Sequence, residues 1–298
     1  MRRTTWIVAA AAAAIITGWL TLEWADRAYP PPLPERLDIS AEVRDRDGQL
    51  LRAFATLDGR WRLSTSTDQV DRKLINMLIA YEDKRFFDHS GVDFLALARA
   101  AIQFASNGRI VSGGATLSMQ GARLIEPRQS RSIWAKARQL FRAVQIERRL
   151  SKQEILERYL TLAPYGGNLE SVRAASLAYF GKEPKRLTVS EAALLVALPQ
   201  LPERRRPDRN PDNARAARDR VLARMVSAGM IDQREADRAA KEALPEKRMP
   251  LPLLAPHASE MALRNAPSAA THQLTINKAV QQNLEAVARE SAQKLGAR

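Results

Sequence analysis

The residues best suited to chemistry lie together in Ala80-Tyr81-Glu82-Asp83-Lys84-Arg85-Phe86-Phe87-Asp88-His89-Ser90-Gly91-Val92-Asp93. Leu74, Leu78 and Tyr81 recur at helical spacing in the apolar run that precedes Glu82. The run therefore predicts a helix whose C-terminal end carries a carboxylate at the mouth of a hydrophobic surface. A carboxylate is costly in such a place unless it is paired or used, and a partly desolvated one suits general-base work at neutral pH. Adjacent helical residues point roughly 100° apart, so Glu82 and Asp83 cannot both face one reacting atom. One is chemical and the other holds the turn. Taken alone, the two acids leave a solvated helix terminus open as the alternative.

Several elements downstream could position further ligand-binding groups. Asp93 is placed to cap a helix from Phe94 to Ala105, with Leu95, Ala98, Ala101, Ile102 and Ala105 on one face that is expected to pack into the core. Next, Ser112-Gly113-Gly114-Ala115-Thr116-Leu117-Ser118-Met119-Gln120 pairs glycines, which let a backbone approach a ligand, with hydrogen-bonding groups on Thr116, Ser118 and Gln120. A surface loop satisfies the same residues. From Ile133 to Leu150 runs a basic helix with Lys136, Arg138, Arg142, Arg148 and Arg149, which by itself reads as a solvated charged face. Ser151-Lys152-Gln153-Glu154 and Thr188 with Glu191 form capping boxes, the second opening an apolar helix that stops at Pro199. Asn210-Pro211 opens a further helix, with Asn210 as cap and Gly229 as exit.

The string Glu82, Asp83, Phe86, His89, Gly91 and Asp93 resembles the first signature of the peptidoglycan glycosyltransferases, glycosyltransferase family 51. The Gly113 to Gln120 segment is similar to the family's second signature, with Ser118 in place of Thr, Met119 in place of Gln, and Arg123 where the family commonly carries Lys. The third signature, Arg-Lys-x-x-Glu, falls on Ala135, Lys136 and Gln139, so both its arginine and its glutamate are replaced. The run from Ser151 to Leu160 matches closely, with Thr161 for Asn, and the likeness extends to about Pro207. Leu117-Ser118-Met119-Gln120, Gln139 and Ala163-Pro164-Tyr165-Gly166-Gly167 together are most similar to the 1C class among the class A penicillin-binding proteins.

The resemblance implies a mainly α, lysozyme-like glycosyltransferase domain, with the Phe94 to Ala105 region in a small membrane-adjacent lobe, which leaves partial lipid contact open for that helix as the alternative to core packing. It implies transfer of a growing glycan from undecaprenyl pyrophosphate onto the 4-hydroxyl of lipid II, with inversion and with Glu82 as general base. Thr116 and Gln120 would orient the donor. Arg123 and Lys136, with Arg138 standing in for the missing arginine, would stabilise the pyrophosphate leaving group. Asp83, Phe86, His89, Gly113 and Gly114 would support the shape of the site. A divalent cation, Mg or Mn, is implied at the pyrophosphate end, where Gln139 cannot supply the charge of the family's glutamate; the resemblance identifies no metal ligands here. A lysozyme-like lytic enzyme and an inactive lipid II-binding scaffold of the cell-wall machinery remain open as alternatives.

The ends and the charge agree with that setting. Lys plus Arg outnumber Asp plus Glu by 47 to 33, a formal charge of +14, which calls for an anionic partner. After Arg2 and Arg3, Thr4 to Leu22 form 19 uncharged, largely apolar residues bracketed by Trp6, Trp19 and Trp24, which predicts one transmembrane signal-anchor, with a cleaved signal peptide as the competing reading. By the positive-inside rule the rest faces the periplasmic side of the inner membrane, and nucleic acid is excluded as partner. With no cysteine, thiol catalysis and cysteine metal sites are excluded too.

The expected partition is 1–24 cytoplasmic tip and anchor, 25–65 Pro-rich spacer and a β-hairpin turning at Asp47-Gly48, 66–207 catalytic domain, 208–250 helical extension, and 251–298 linker and truncated start of a transpeptidase domain. Ser291-Ala292-Gln293-Lys294 has no Ser-x-Asn or Lys-Thr-Gly after it, so no transpeptidase activity is expected of this chain. Expected partners are lipid II, the growing glycan strand, the membrane and other cell-wall synthesis proteins.

Overall fold

The structure, a computed structural model, describes residues 2–34, 36–107, 115–126 and 132–296. In chain order its helices are α1 (Arg2–Ala28), α2 (Arg72–Glu82), α3 (Phe94–Asn107), α4 (Leu117–Ile125), α5 (Ile133–Glu147), α6 (Lys152–Leu162), α7 (Val172–Phe180), α8 (Val189–Ala197), α9 (Pro211–Ser227), α10 (Gln233–Lys241), α11 (Pro256–Asn265) and α12 (Lys278–Lys294). The strands are β1 (Glu42–Arg44), β2 (Leu50–Ala53), β3 (Trp61–Arg62), β4 (Pro164–Gly166), β5 (Leu169–Glu170) and β6 (Thr271–Gln273). The architecture is mainly helical, as expected. The chain forms two compact units, Met1–Glu35 with Phe87–Ile155 and Arg36–Phe86 with Leu156–Arg298.

In the larger unit the core is built around α8. Its N-terminus is closed by the expected capping box: the Glu191 amide donates to Thr188 Oγ1 at 3.2 Å and the Thr188 amide to Glu191 Oε2 at 2.7 Å. Ala192 to Ala197 are all buried, and α8 packs on α2 and α9. Arg218 of α9 is fully buried and donates to Ser190 Oγ (3.2 Å), Glu242 O (2.8 Å) and Ala240 O (2.6 Å), so its guanidinium supplies donors to carbonyls at the end of α10. Asn210 stands at the cap position of α9 without making a side-chain cap bond. Its amide instead donates to Glu203 O at 3.2 Å, because the chain before Pro211 turns back on itself.

The expected hairpin is present, with β1 antiparallel to β2, and Gly48 takes the left-handed conformation its turn requires. Two features lay beyond local pattern. Strand β6 pairs parallel with β1, and Leu254 joins Val43 and Leu51 in a hydrophobic cluster. The proline-rich stretch read as a linker is therefore fastened: the Leu254 amide donates to Leu51 O at 3.0 Å and the Met249 amide to Ala178 O at 2.7 Å. A second sheet, in the order β3-β5-β4, forms from segments of two or three residues.

In the smaller unit α4 packs on α5. Asp93 caps α3 as expected, accepting from the Ala96 amide at 2.8 Å. The described residues of the face expected to enter the core do not do so. Leu95 and Ile102 are exposed and Ala98 with them, while Ala96 is buried; Ala101 and Ala105 lie outside the residues whose side chains are described. Periodicity shows that a helix has an apolar face, not what covers it. Helix α1 runs 27 residues, and among the described residues no helix is long and apolar enough to cross a membrane. The end of α1 is clamped to α5: buried Asp26 accepts from Gln145 Nε2 at 2.6 Å and Arg149 Nη1 at 2.8 Å, and Arg148 pairs with Glu23.

Strand β1 depends on a buried ion pair. Glu42 is 1% exposed and accepts from Arg173 Nη1 at 2.7 Å, while Arg173 also holds Ser64 O and both oxygens of Glu183. Removing one partner strands the other charge. Arg173→Met is expected to lower unfolding free energy by about 3 kcal/mol in urea titration, and a loss below about 1 kcal/mol would show that Arg44, at 3.0 Å from Glu42, compensates alone.

Candidate active site

Helix α2 carries Glu82 as its last residue. Asp71 sets the other end: its side chain accepts from the Lys73 amide at 2.9 Å and the Leu187 amide at 3.0 Å. Leu74, Met77 and Leu78 bury the inner face of the helix. The carboxylate of Glu82 is half-buried and accepts from Gln200 Nε2 at 2.6 Å. The Gln200 amide oxygen in turn accepts from Arg205 Nη1 at 3.0 Å. Burial pulls the Arg205 guanidinium below its ordinary value, and the nearby Glu82 carboxylate acts against that. Tyr159 is fully buried, and burial first and the Glu82 charge second hold its hydroxyl well above the usual tyrosine range.

Asp83 behaves as the turn residue of the acid pair. It is buried at the C-cap of α2, its amide donates to Ile79 O at 2.8 Å, and its carbonyl accepts from the Phe86 amide at 3.0 Å. Phe86 is fully buried and anchors that turn.

The other expected site residues belong to the smaller unit. His89 Nδ1 accepts from the Gly91 amide at 3.1 Å. Gly91 has φ +94°, and a Cβ there would lie 2.7 Å from the Ala143 carbonyl group, so loop and α5 approach too closely for any other residue. Thr116 is the N-cap of α4. Its hydroxyl donates to Gly91 O at 2.6 Å and accepts from the Met119 amide at 3.1 Å, so it holds loop and helix together from a buried position. Gln120 is half-buried and Arg123 exposed on α4; Lys136 is half-buried and Arg138 exposed on α5. Gln139 Nε2 donates to Met119 O at 2.8 Å, tying α5 to α4. Gly113 and Gly114 lie outside the described residues.

Local sequence pattern missed Gln200, Arg205 and Tyr159. Gln200 is 118 residues from Glu82, and no spacing within one element could pair them. It missed Lys152 as well, which read as helix-capping scaffold: Lys152 Nζ donates to Glu147 Oε1 at 2.7 Å and His89 O at 2.5 Å, while Ser118 donates to the same Glu147 oxygen.

A family model described as Transglycosylase matches residues 47–226. The chain belongs to the transglycosylase family. It is 42% identical to penicillin-binding protein 1C of Escherichia coli K12 over 287 residues, which is 96% of this chain and 37% of that protein. Penicillin-binding protein 1A of Aquifex aeolicus is 35% identical over 209 residues, covering 70% of this chain and 28% of the relative. Penicillin-binding protein 1A of E. coli K12 is 34% identical over 225 residues, covering 73% and 26%. This transglycosylase chain thus spans little more than a third of the length of the first of these relatives and less of the others, and the likeness to the 1C class read from Ser118, Met119 and Gln139 agrees with the first.

The geometry yields two expectations. Asp71→Ala should destabilise the fold by about 1 kcal/mol through loss of the α2 cap. Backbone amides of Leu187 and Lys73 outweigh the larger opposing effect of burial and hold the Asp71 carboxyl below its usual value. Its contribution is therefore complete above the ordinary aspartate range and is lost as pH falls through the lowered value. Thermal unfolding of parent and variant should converge in acid; a gap that persists in strong acid, far below the ordinary aspartate range, would contradict this. Gln139→Glu replaces a donor by an acceptor facing Met119 O, and should cost about 1–2 kcal/mol near neutral pH; unchanged stability by denaturant titration would show that the bond is dispensable.

Proposed function

We propose that this chain is the peptidoglycan glycosyltransferase part of a class A penicillin-binding protein. The observation that carries this reading is Glu82, set at the end of α2 with its carboxylate held by Gln200, within a transglycosylase domain. Glu82 removes the proton from the 4-hydroxyl of the lipid II acceptor as that oxygen attacks the anomeric carbon of the glycan donor. The bond from that carbon to pyrophosphate breaks, its electron pair leaves with undecaprenyl pyrophosphate, and the anomeric centre inverts. Arg123 and Lys136, with Arg138, stabilise charge on the leaving group as fixed cations, and Gln120 orients the donor. The Thr116 hydroxyl is engaged with Gly91 and Met119, so Thr116 serves the donor end by setting α4. Asp83, Phe86 and His89 hold the surrounding turns.

A divalent cation fits these residues poorly. Among the described residues no three of His, Asp and Glu converge on a metal-sized site, and Gln139, whose NH2 donates to Met119 O, has a neutral amide oxygen in place of a carboxylate's charge. No step is assigned to a metal.

The proposed setting is the inner membrane, with α1 as a single-pass anchor, its Arg2-Arg3 end cytoplasmic and the catalytic domain periplasmic. Exposure of Trp6, Ile16, Trp19, Leu20 and Trp24 supports this, as the 19-residue uncharged run Thr4 to Leu22 does. Exposed Phe87, Phe94, Leu95, Ile102 and Trp134 suit lipid contact in the smaller unit. The proposed partition keeps a lysozyme-like catalytic domain at 66–207, its helical extension at 208–250, and the start of a transpeptidase domain within 251–298. Partners are lipid II, the growing strand and other cell-wall synthesis proteins.

Detergent-solubilised protein should convert labelled lipid II to polymer, in chelator as well as in added magnesium, and Glu82→Gln should lower the rate by about 10³-fold or more with thermal unfolding unchanged. Equal product from the variant would overturn the role of Glu82. Bound lipid II without polymer from either protein would favour a scaffold.

A further inference from the structure

We infer that Gln200 is a positioning residue for Glu82 and that Arg205 fixes the direction in which Gln200 acts. This rests on the reading of Glu82 as the general base.

A glutamine amide has a donor end and an acceptor end, and it assists a carboxylate only when the donor end is presented. The direction is set here by a third group. Arg205 has donors alone, and its Nη1 contacts the Gln200 oxygen at 3.0 Å, so the NH2 of Gln200 must point to Glu82 Oε1, 2.6 Å away. The same Nη1 also donates to Ala197 O at 2.6 Å, at the end of α8, which seats Arg205 in the buried core of the larger unit. Gln200 itself is exposed and closes the 3-10 turn Leu198–Gln200. Water competes for an exposed amide, so without Arg205 the Gln200 side chain would sample both directions and rotate away.

The relay runs through a neutral group. A lysine or arginine at position 200 would form a direct ion pair with Glu82 and hold the proton-accepting oxygens in salt-bridge geometry. A glutamine instead restrains Oε1 with a neutral donor, and Arg205 acts on that oxygen through the Gln200 amide.

The test uses the full chain in detergent with lipid II. Gln200→Leu and Arg205→Met should each lower kcat by about tenfold with KM within about twofold, and the double variant should lose little more than either alone, because both act through one contact. Arg205→Lys, which keeps a donor for the Gln200 oxygen, should recover part of the rate. A readout independent of turnover is the side-chain amide signal of Gln200 in ¹⁵N spectra, assigned by its loss in Gln200→Leu; it should move in Glu82→Gln and in Arg205→Met.

Parent-like kcat in Gln200→Leu, or a loss confined to KM, would overturn the relay while polymer from the parent left the general-base reading intact. An amide signal indifferent to Glu82→Gln would also overturn it, even if Arg205→Met did not fold. Absence of polymer from the parent, with the amide coupling present, would sink the glycosyltransferase reading and leave the contact standing.

Discussion

A carboxylate at the C-terminal end of a helix faces the negative end of the helix dipole, a placement that costs about 0.3–1 kcal/mol unless donors or cations offset it. Glu82 is such a carboxylate, and much of the larger unit can be understood as holding it there. Asp71 stops α2 at its far end, Leu74, Met77 and Leu78 press its inner face on the core, and Asp83 ends it by turning the chain toward buried Phe86. Gln200 then supplies a donor, and Arg205 keeps a positive charge within electrostatic reach. These donors arrive from the segment after α8, so the order of that helix bears directly on the acid.

The smaller unit uses polar side chains in a second way. Thr116 engages Gly91 and Met119, Gln139 engages Met119, and Lys152 draws Glu147 and the His89 carbonyl together. These groups fix one loop, α4 and α5 as a single piece. Arg123, exposed on α4, and Arg138, exposed on α5, stand on that frame. Position 139 illustrates the difference between an amide and a carboxylate of nearly equal shape: only the amide can donate to a carbonyl, so the glutamine is matched to a structural bond that a glutamate would lose.

Distant segments also meet at β1. The hairpin β1-β2 cannot bury both of its faces alone; β6 adds a third strand, Leu254 fills the cluster with Val43 and Leu51, and Arg173 neutralises Glu42. The residues after Pro245 are thereby part of the larger unit's packing, although their composition is that of a linker.

What the sequence determined by itself was whatever depends on neighbours in the chain. Helical spacing placed α2 and its terminal Glu82, the Thr188 and Glu191 pair announced α8, Asp93 announced α3, and Asp47-Gly48 announced the hairpin, because caps and tight turns are made by residues within about four positions of each other. The spacing of Glu82, Asp83, Phe86, His89, Gly91 and Asp93 was enough to point to the family. Only the tertiary structure decided which polar groups meet. It brought Gln200 and Arg205 to Glu82, β6 to β1 and Arg173 to Glu42, and it left Leu95 and Ile102 of α3 uncovered. Pairings across a hundred residues leave no periodic trace, since they are set by how buried faces pack and by which buried charges must be neutralised.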